Sequence, residues 1–215
     1  MKSGESLSIS PLSTLHPDTT LNSPHYNSRK DDTMKFMFVS DIHGSAPNCA
    51  LMLKRFDEEN AGKLFLLGDI LYHGPRNGLT EGYDPKEVSR MLNERKDSIF
   101  CVRGNCDSEV DQMMLEFPIM AEYALLFLEG RTVFLTHGHK FNAETPPPLK
   151  SGDILLHGHT HIQTIDDSGK YIYMNPGSVT VPKNGLAKSY MIYENGVFSI
   201  KQLENVKLET KFEIN

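Results

Sequence analysis

The chain has the pattern of an α/β domain in which two β-sheets pack together with helices outside them. Three features predict this. In residues 34–116, short apolar runs alternate with segments of helical character, as in a mostly parallel sheet covered by helices. From residue 123 onward, short apolar runs follow one another with little helix between them, several joined by tight-turn pairs such as Glu129-Gly130, Ser168-Gly169 and Asn195-Gly196. Five polar clusters punctuate the whole: SDIHG at 40–44, LGD at 67–69, RGNCD at 103–107, LTHGH at 135–139 and HGHTH at 157–161, four of them following an apolar run.

The elements follow in order. Residues 35–40 (KFMFVS) form the first strand, and 47–61 a helix with Leu51, Leu53 and Phe56 among its apolar positions. A second buried strand covers 64–67. A helix over 85–96 begins at Pro85 with Asp84 as N-cap. A third strand covers 99–102 and a helix 107–116. Seven more strands are predicted at 123–128, 132–136, 153–156, 162–166, 171–174, 189–193 and 197–203. Residues 1–33, rich in Ser, Thr, Pro and Asn and without periodicity, read as a disordered extension before a domain over 34–215. Met34 directly precedes the first strand and so reads as a true or alternative start. Deleting 2–33 is then expected to leave folding and activity intact; loss of either would refute this.

The chain is long enough for a substantial core. A formal net charge of −6 argues against general affinity for nucleic-acid backbones or anionic membranes. No apolar stretch approaches the roughly 20 residues that span a bilayer, and the N-terminus has no continuous apolar signal region. Cys49, Cys101 and Cys106 lack framework spacing, which suits a reduced, cytoplasmic setting.

The clusters gather Asp41, His43, Asp69, Asn105, His137, His159 and His161. Carboxylate and amide oxygens suit Mn²⁺ or Mg²⁺, and imidazole suits Zn²⁺, Fe²⁺ and Mn²⁺. Asp41 and His43 stand two apart at a strand end, where a turning backbone can aim both at one point. A lone Asp there usually caps a turn, an Asn after Gly is usually a turn residue, and an HxH pair is often a surface feature. Their joint occurrence at strand termini, where α/β sheets place their sites, favours a metal centre. The loop 70–83 is long for a compact domain and carries His73, Arg76 and Asn77. Arg76 either pairs with a substrate phosphate or is tied to its own loop. Arg103 is open in the same way. His139 lines the site or supports a ligand, and His157 is expected not to be one.

Taken in order, DxH, GD, GNxD, a THG-type His and GHTH resemble the calcineurin-like metallophosphoesterase superfamily. GDxLxHGPRN, RGNCDSEVDQM and NPGSVxxPK are similar to its small bacterial phosphodiesterases of the YfcE type, over roughly residues 34–203. The resemblance implies a four-layer sandwich, two packed mixed β-sheets flanked by helices. It implies two divalent metal ions, often Mn²⁺, with Zn²⁺, Fe²⁺ or Mg²⁺ as alternatives. Asp41, His43, Asp69 and His161 would hold one, and Asp69, Asn105, His137 and His159 the other, with Asp69 bridging. It further implies in-line attack by a metal-activated water on a small soluble phosphodiester, with Asp69, Asn105 and Cys106 in the catalytic group; Arg76, His73 and His139, read from their places in the loop and beside His137, are the candidate substrate contacts. Many members carry His where this chain has Cys106. A thiol with a pKa of about 8.5 is a weaker donor, so Cys106 either narrows the range of leaving groups or only packs beside the site. NPGS at 175–178 lies near the site in the family, or is only a turn. The competing functions are a phosphomonoesterase, a nuclease (disfavoured by the acidic charge), a sensing module, and a protein-binding scaffold of the same fold as in retromer. Hairpin edges in the second half would suit a homo-oligomer.

Overall fold

An unbroken apolar run in a strand must be covered on both faces, and in β1 (Lys35–Val39) Met37, Phe38 and Val39 are all buried. Met37 and Val39 face one core while Phe38 faces another. The protein is described here from a computed structural model covering Met1 and residues 34–214. The extension expected over 1–33 therefore lies outside the described residues, apart from Met1.

Parallel strands β2 (Lys63–Leu66) and β3 (Ile99–Cys101) extend the sheet on one side of β1. Helix α1 (Ala46–Glu58) connects β1 to β2, and α2 (Pro85–Asn93) lies between β2 and β3. Both helices cover one face, where Met52, Phe56, Val88 and Leu92 pack with Met37, Val39, Leu64 and Leu66. Asp84 caps α2 as its position before Pro85 predicts, accepting from the Glu87 amide at 3.0 Å. The helix expected over 107–116 is only the short α3 (Glu109–Gln112). Ser108 and Asp111 form its capping box, and Gln112 then bonds the carbonyls of Leu115 and Phe117, turning the chain away.

The second half is hairpin-rich as expected. Strands β4 (Tyr123–Leu128), β5 (Arg131–Thr136), β6 (Ile154–His157), β7 (Thr164–Asp166) and β8 (Ile172–Asn175) form a sheet in the order β4-β5-β6-β8-β7. Its centre is parallel and its edges antiparallel. Strands β9 (Ser189–Glu194), β10 (Val197–Gln202) and β11 (Leu208–Glu213) return to the first sheet, giving the order β11-β10-β9-β1-β2-β3. Between the sheets, Phe38, Phe65 and Leu67 meet Val133, Leu135, Leu156 and Met174. Each fully buried side chain of this kind contributes roughly 1.5–3 kcal/mol.

The two packed mixed sheets thus match the expectation, and among the described residues the helical layer lies on one side only. Across the other outer face, Leu149 and Phe141 cover Phe134 and Leu155. That covering segment contains Pro146-Pro147-Pro148, which cannot be helical. Strand β11 is not foreseen in the sequence: it is mostly exposed on both faces, so no apolar alternation marks it.

Register sets the position of the site. Val39, Leu66 and Cys101 stand side by side, as do Thr136 and His157. The five parallel strands so aligned are each followed directly by one polar cluster.

Candidate metal centre

Past β1 the chain keeps bonding to the residues after β2. The amide of Asp41 donates to Gly68 O at 3.1 Å, that of His43 to Asp69 O at 2.9 Å, and that of Gly44 to Ile70 O at 2.8 Å. Asp41, His43, Asp69, His159 and His161 all take left-handed φ values, between 50° and 65°. The other non-glycine residues with positive φ, Asn60, Glu129, Asn184, Asn195 and Val206, lie in or beside turns. A side chain in this region costs of order 1–3 kcal/mol and persists where the surroundings demand it, so backbone strain is gathered at the candidate ligands. The neighbouring glycines permit the approach. A Cβ on Gly104 would lie 2.1 Å from Asp69 Oδ1, and one on Gly158 would lie 1.8 Å from Ser40 Oγ.

The imidazoles are oriented from behind. Nδ1 of His43 contacts Tyr72 O at 2.9 Å, that of His137 contacts Leu67 O at 2.6 Å, and that of His161 contacts Val181 O at 2.8 Å. A carbonyl only accepts, so each Nδ1 carries hydrogen and each Nε2 points its lone pair inward. What those lone pairs meet is oxygen: Asp41 Oδ1 lies 3.1 Å from His161 Nε2 and 3.5 Å from His43 Nε2. Asp69 Oδ2 lies 3.5 Å from His137 Nε2 and 3.7 Å from His43 Nε2. Asn105 Oδ1 is 3.1 Å and His159 Nδ1 3.2 Å from His137 Nε2. Acceptors facing acceptors in a buried site require a cation between them. Asp41 Oδ1 and His43 Nε2, both buried, have no hydrogen-bond partner within the protein. The donor set therefore fits divalent metal.

The titrations agree in direction. Burial alone would pull His137 down, yet the Asp69 and Asp41 carboxylates override it and raise the imidazole to about 9. Burial would raise Asp41, but His161 and His43 hold its carboxyl well below the usual range. Both shifts have the sign of a pocket that draws positive charge.

Three ligand groups have atoms mutually within 4.8 Å: Asp41, His43 and His161; Asp41, Asp69 and His137; His43, Asp69 and Cys106. Five of the seven sequence-predicted ligands thus come together around Asp41 and Asp69, and Asn105 and His159 adjoin them through His137 Nε2. Cys106 joins them, its amide bonded to Asp69 Oδ1 at 2.8 Å. Burial and then Asp69 push its thiol up, keeping it neutral.

A pocket of about 620 Å³ opens over His43, Asp69, His159 and His161, with Arg76 and Lys183 also lining it. His73 and His139 are not among the residues lining it. His73 packs between Tyr72 and Tyr83, at ring distances of 4.7 and 5.3 Å, with Nδ1 toward Asn77 O. His139 lies 5.5 Å from the His137 ring, and burial lowers its pKa. The ring of His157, which is expected not to be a ligand, packs 4.7 Å from that of Tyr173. Arg103 braces structure, its Nε donating to Asp107 O at 3.2 Å. The 175–178 segment is more than a turn. Ser178 donates to Asp41 O at 2.9 Å, and Asn175 Nδ2 donates to Gly158 O at 2.8 Å.

Sequence reasoning missed Asp107 and Lys183. Asp107 is buried, and its carboxylate accepts from the amides of Asp69, Ile70 and Gly104 at 2.9, 2.9 and 2.7 Å. It locks two ligand-bearing turns together. Both residues were present in quoted motifs, RGNCD and NPGSVxxPK, without a role assigned to them.

A family model described as the calcineurin-like phosphoesterase superfamily domain matches residues 34–196. The chain is 47% identical over 182 residues to phosphodiesterase YfcE of Escherichia coli K12, covering 85% of this chain and 99% of that protein. A solved structure of E. coli YfcE, described as a phosphoesterase, superposes with a TM-score of 0.82 at 47% identity, over 85% of this chain and all of that one. Vacuolar protein sorting 29 from Cryptosporidium parvum superposes with a TM-score of 0.57 over 85% of this chain and 99% of that one; at 16% identity it shares the fold alone.

Proposed function

Since the chain belongs to the calcineurin-like phosphoesterase superfamily and is a metal-dependent phosphoesterase, we propose that it hydrolyses small soluble phosphodiesters. In this reading Asp41, His43, Asp69 and His161 hold one divalent cation and Asp69, Asn105, His137 and His159 a second, with Mn²⁺ the first candidate. The observation that carries it is the set of inward lone pairs facing carboxylate oxygens. The relative with 47% identity bears the name phosphodiesterase, which supports the diester as substrate. All seven ligand positions hold metal-competent side chains, for which a scaffolding role has no use. A cytoplasmic setting is part of the proposal, supported by three unpaired cysteines; among the described residues no helix is long and apolar enough to cross a membrane.

Divalent cations at these ligands would supply Lewis acidity toward phosphoryl oxygens and lower the pKa of an attacking water. The chain's own contribution is placement. Tyr72, Leu67 and Val181 carbonyls fix the tautomers of three histidines, and Asp107 holds the Asp69 and Asn105 turns in register. The neutral Cys106 thiol lines the same pocket and would serve a leaving oxygen only as a weak donor. Arg76 and Lys183 supply positive charge on one side of the pocket.

Hydrolysis of bis-p-nitrophenyl phosphate against p-nitrophenyl phosphate tests the proposal, on chelator-stripped protein given Mn²⁺, Mg²⁺ or Zn²⁺ in turn. Metal-restored cleavage favouring the diester is expected. Preference for the monoester would make it a phosphomonoesterase, and inactivity with every metal in folded protein would overturn the reading.

A further inference from the structure

The reaction centre is flanked by two unlike pockets that share Pro75, Asn105 and Cys106. One contains Arg76 and Lys183, neither of which forms an ion pair among the described residues. The other, about 550 Å³, is walled by Leu71, Tyr72, Pro75, Tyr83, Pro85 and Val110. Among its described lining residues there is no Lys or Arg, and its one carboxylate, Asp111, is committed to Ser108 at the start of α3.

The apolar wall is braced. The Tyr83 ring packs so closely on Gly44 that a Cβ there would lie 2.5 Å from it. The Asp84 amide donates to Gly44 O at 2.8 Å, and the His73 ring fills the space between Tyr72 and Tyr83. Tyr72 belongs to both structures, since its carbonyl holds His43 Nδ1 while its ring lines the pocket. Yet Tyr72 remains 39% exposed and Val110 69% exposed, beside a site otherwise built of polar groups. Preformed aromatic surface left open next to a reaction centre suits a flat, uncharged group.

We infer that the two ester arms of the substrate are bound differently: a flat uncharged arm, aryl or nucleobase-like, enters the Tyr72–Tyr83–Val110 pocket, and the other arm carries a further anionic group to Arg76 and Lys183. The phosphorus sits where the pockets meet, over Asn105 and Cys106. This assignment rests on the phosphodiesterase reading. Water forms the new P–O bond, the P–O bond to one ester arm breaks, and that arm leaves as its alcohol or phenol with one of the water's protons while the other arm stays on the phosphomonoester, so no co-reactant is needed.

Two diesters sharing a p-nitrophenyl arm and differing in the second, ethyl or 2-carboxyethyl, test it on the Mn²⁺-loaded full chain. The carboxyethyl diester is expected to have a kcat/KM roughly fivefold higher, the size of one exposed ionic contact, and Arg76→Ala with Lys183→Ala abolishes the preference. Val110→Asp, at an exposed position, raises KM severalfold for both diesters while kcat and the preference persist. Equal rates on the two diesters in the unmodified protein, or a Val110→Asp variant that changes kcat and leaves KM alone, would overturn the assignment. Should neither diester turn over with any metal, the phosphodiesterase reading fails, and calorimetry still decides the apolar pocket. Phenylphosphonate binding about tenfold tighter than methylphosphonate, with the gap closed by Val110→Asp, supports it; equal affinities contradict it.

Discussion

The two ends of β1 each bury carboxylates, and they are finished in opposite ways. At the start of the strand, Glu59 receives Lys35 at 3.1 Å, Lys201 at 2.7 Å and the Tyr190 hydroxyl at 2.8 Å. Burial would raise its pKa, but Lys201, Tyr190 and Lys35 lower it. Just past the strand's other end, Asp41 and Asp69 face imidazole lone pairs and strained backbone. The first cluster contains its own cations and adds to stability. The second is complete only when a cation arrives from solution, which is what a metal site needs and what a stable core avoids.

Four substitutions would break or sharpen that contrast. Asp69→Asn is expected to act most strongly, removing the carboxylate shared by two ligand groups. Turnover should fall by more than the 10- to 100-fold typical of losing an outer partner, together with metal occupancy, while circular dichroism stays native. Wild-type turnover would defeat the assignment. Asp107→Asn acts one step back: an amide cannot accept from three N–H groups as a carboxylate does, so metal affinity should drop about 10- to 100-fold in a calorimetric titration. Unchanged affinity would reduce Asp107 to a packing group.

At the opposite end, Glu59→Gln should cost about 1 kcal/mol of stability at pH 7 and leave kcat untouched. Its pKa is lowered in the folded state, so its contribution is full above the unfolded value of 4.5 and is lost as pH falls through the lower folded value. Denaturant melts of the two proteins should therefore converge in acid; a gap that widens there would reverse the sign. The smallest effect is expected for Cys106→His. A neutral thiol is a poor donor, so the variant should speed esters with poor leaving groups by a few-fold, on the low side of general acid catalysis. An identical dependence on leaving group would remove any role for the thiol.

The same contrast explains what was legible in sequence. Strands β1 and β2 are read easily because both faces are buried, β3 because it is a short apolar run even though Phe100 is exposed, and the candidate ligands because DxH, GD, GN and GHTH concentrate unusual residue types at strand ends. Asp107 escaped notice because a carboxylate that binds backbone amides looks the same in sequence as one that caps a turn. Strand β11 escaped because its exposed faces impose no pattern, and α3 was overextended because side-chain bonds from Gln112 end it without a Pro or Gly. The apolar pocket brings Tyr72 and Tyr83, from the two ends of the loop 70–83, together with Val110 of α3, a juxtaposition only the fold creates.

Calorimetric titration of Mn²⁺ into chelator-stripped protein, beside Asp69→Asn, tests the central claim most directly. The account predicts two ions bound per wild-type chain, diesterase activity recovered in step with occupancy, and both lost in the variant. Absence of binding to folded wild-type protein, or equally tight binding of both ions by Asp69→Asn, would contradict it.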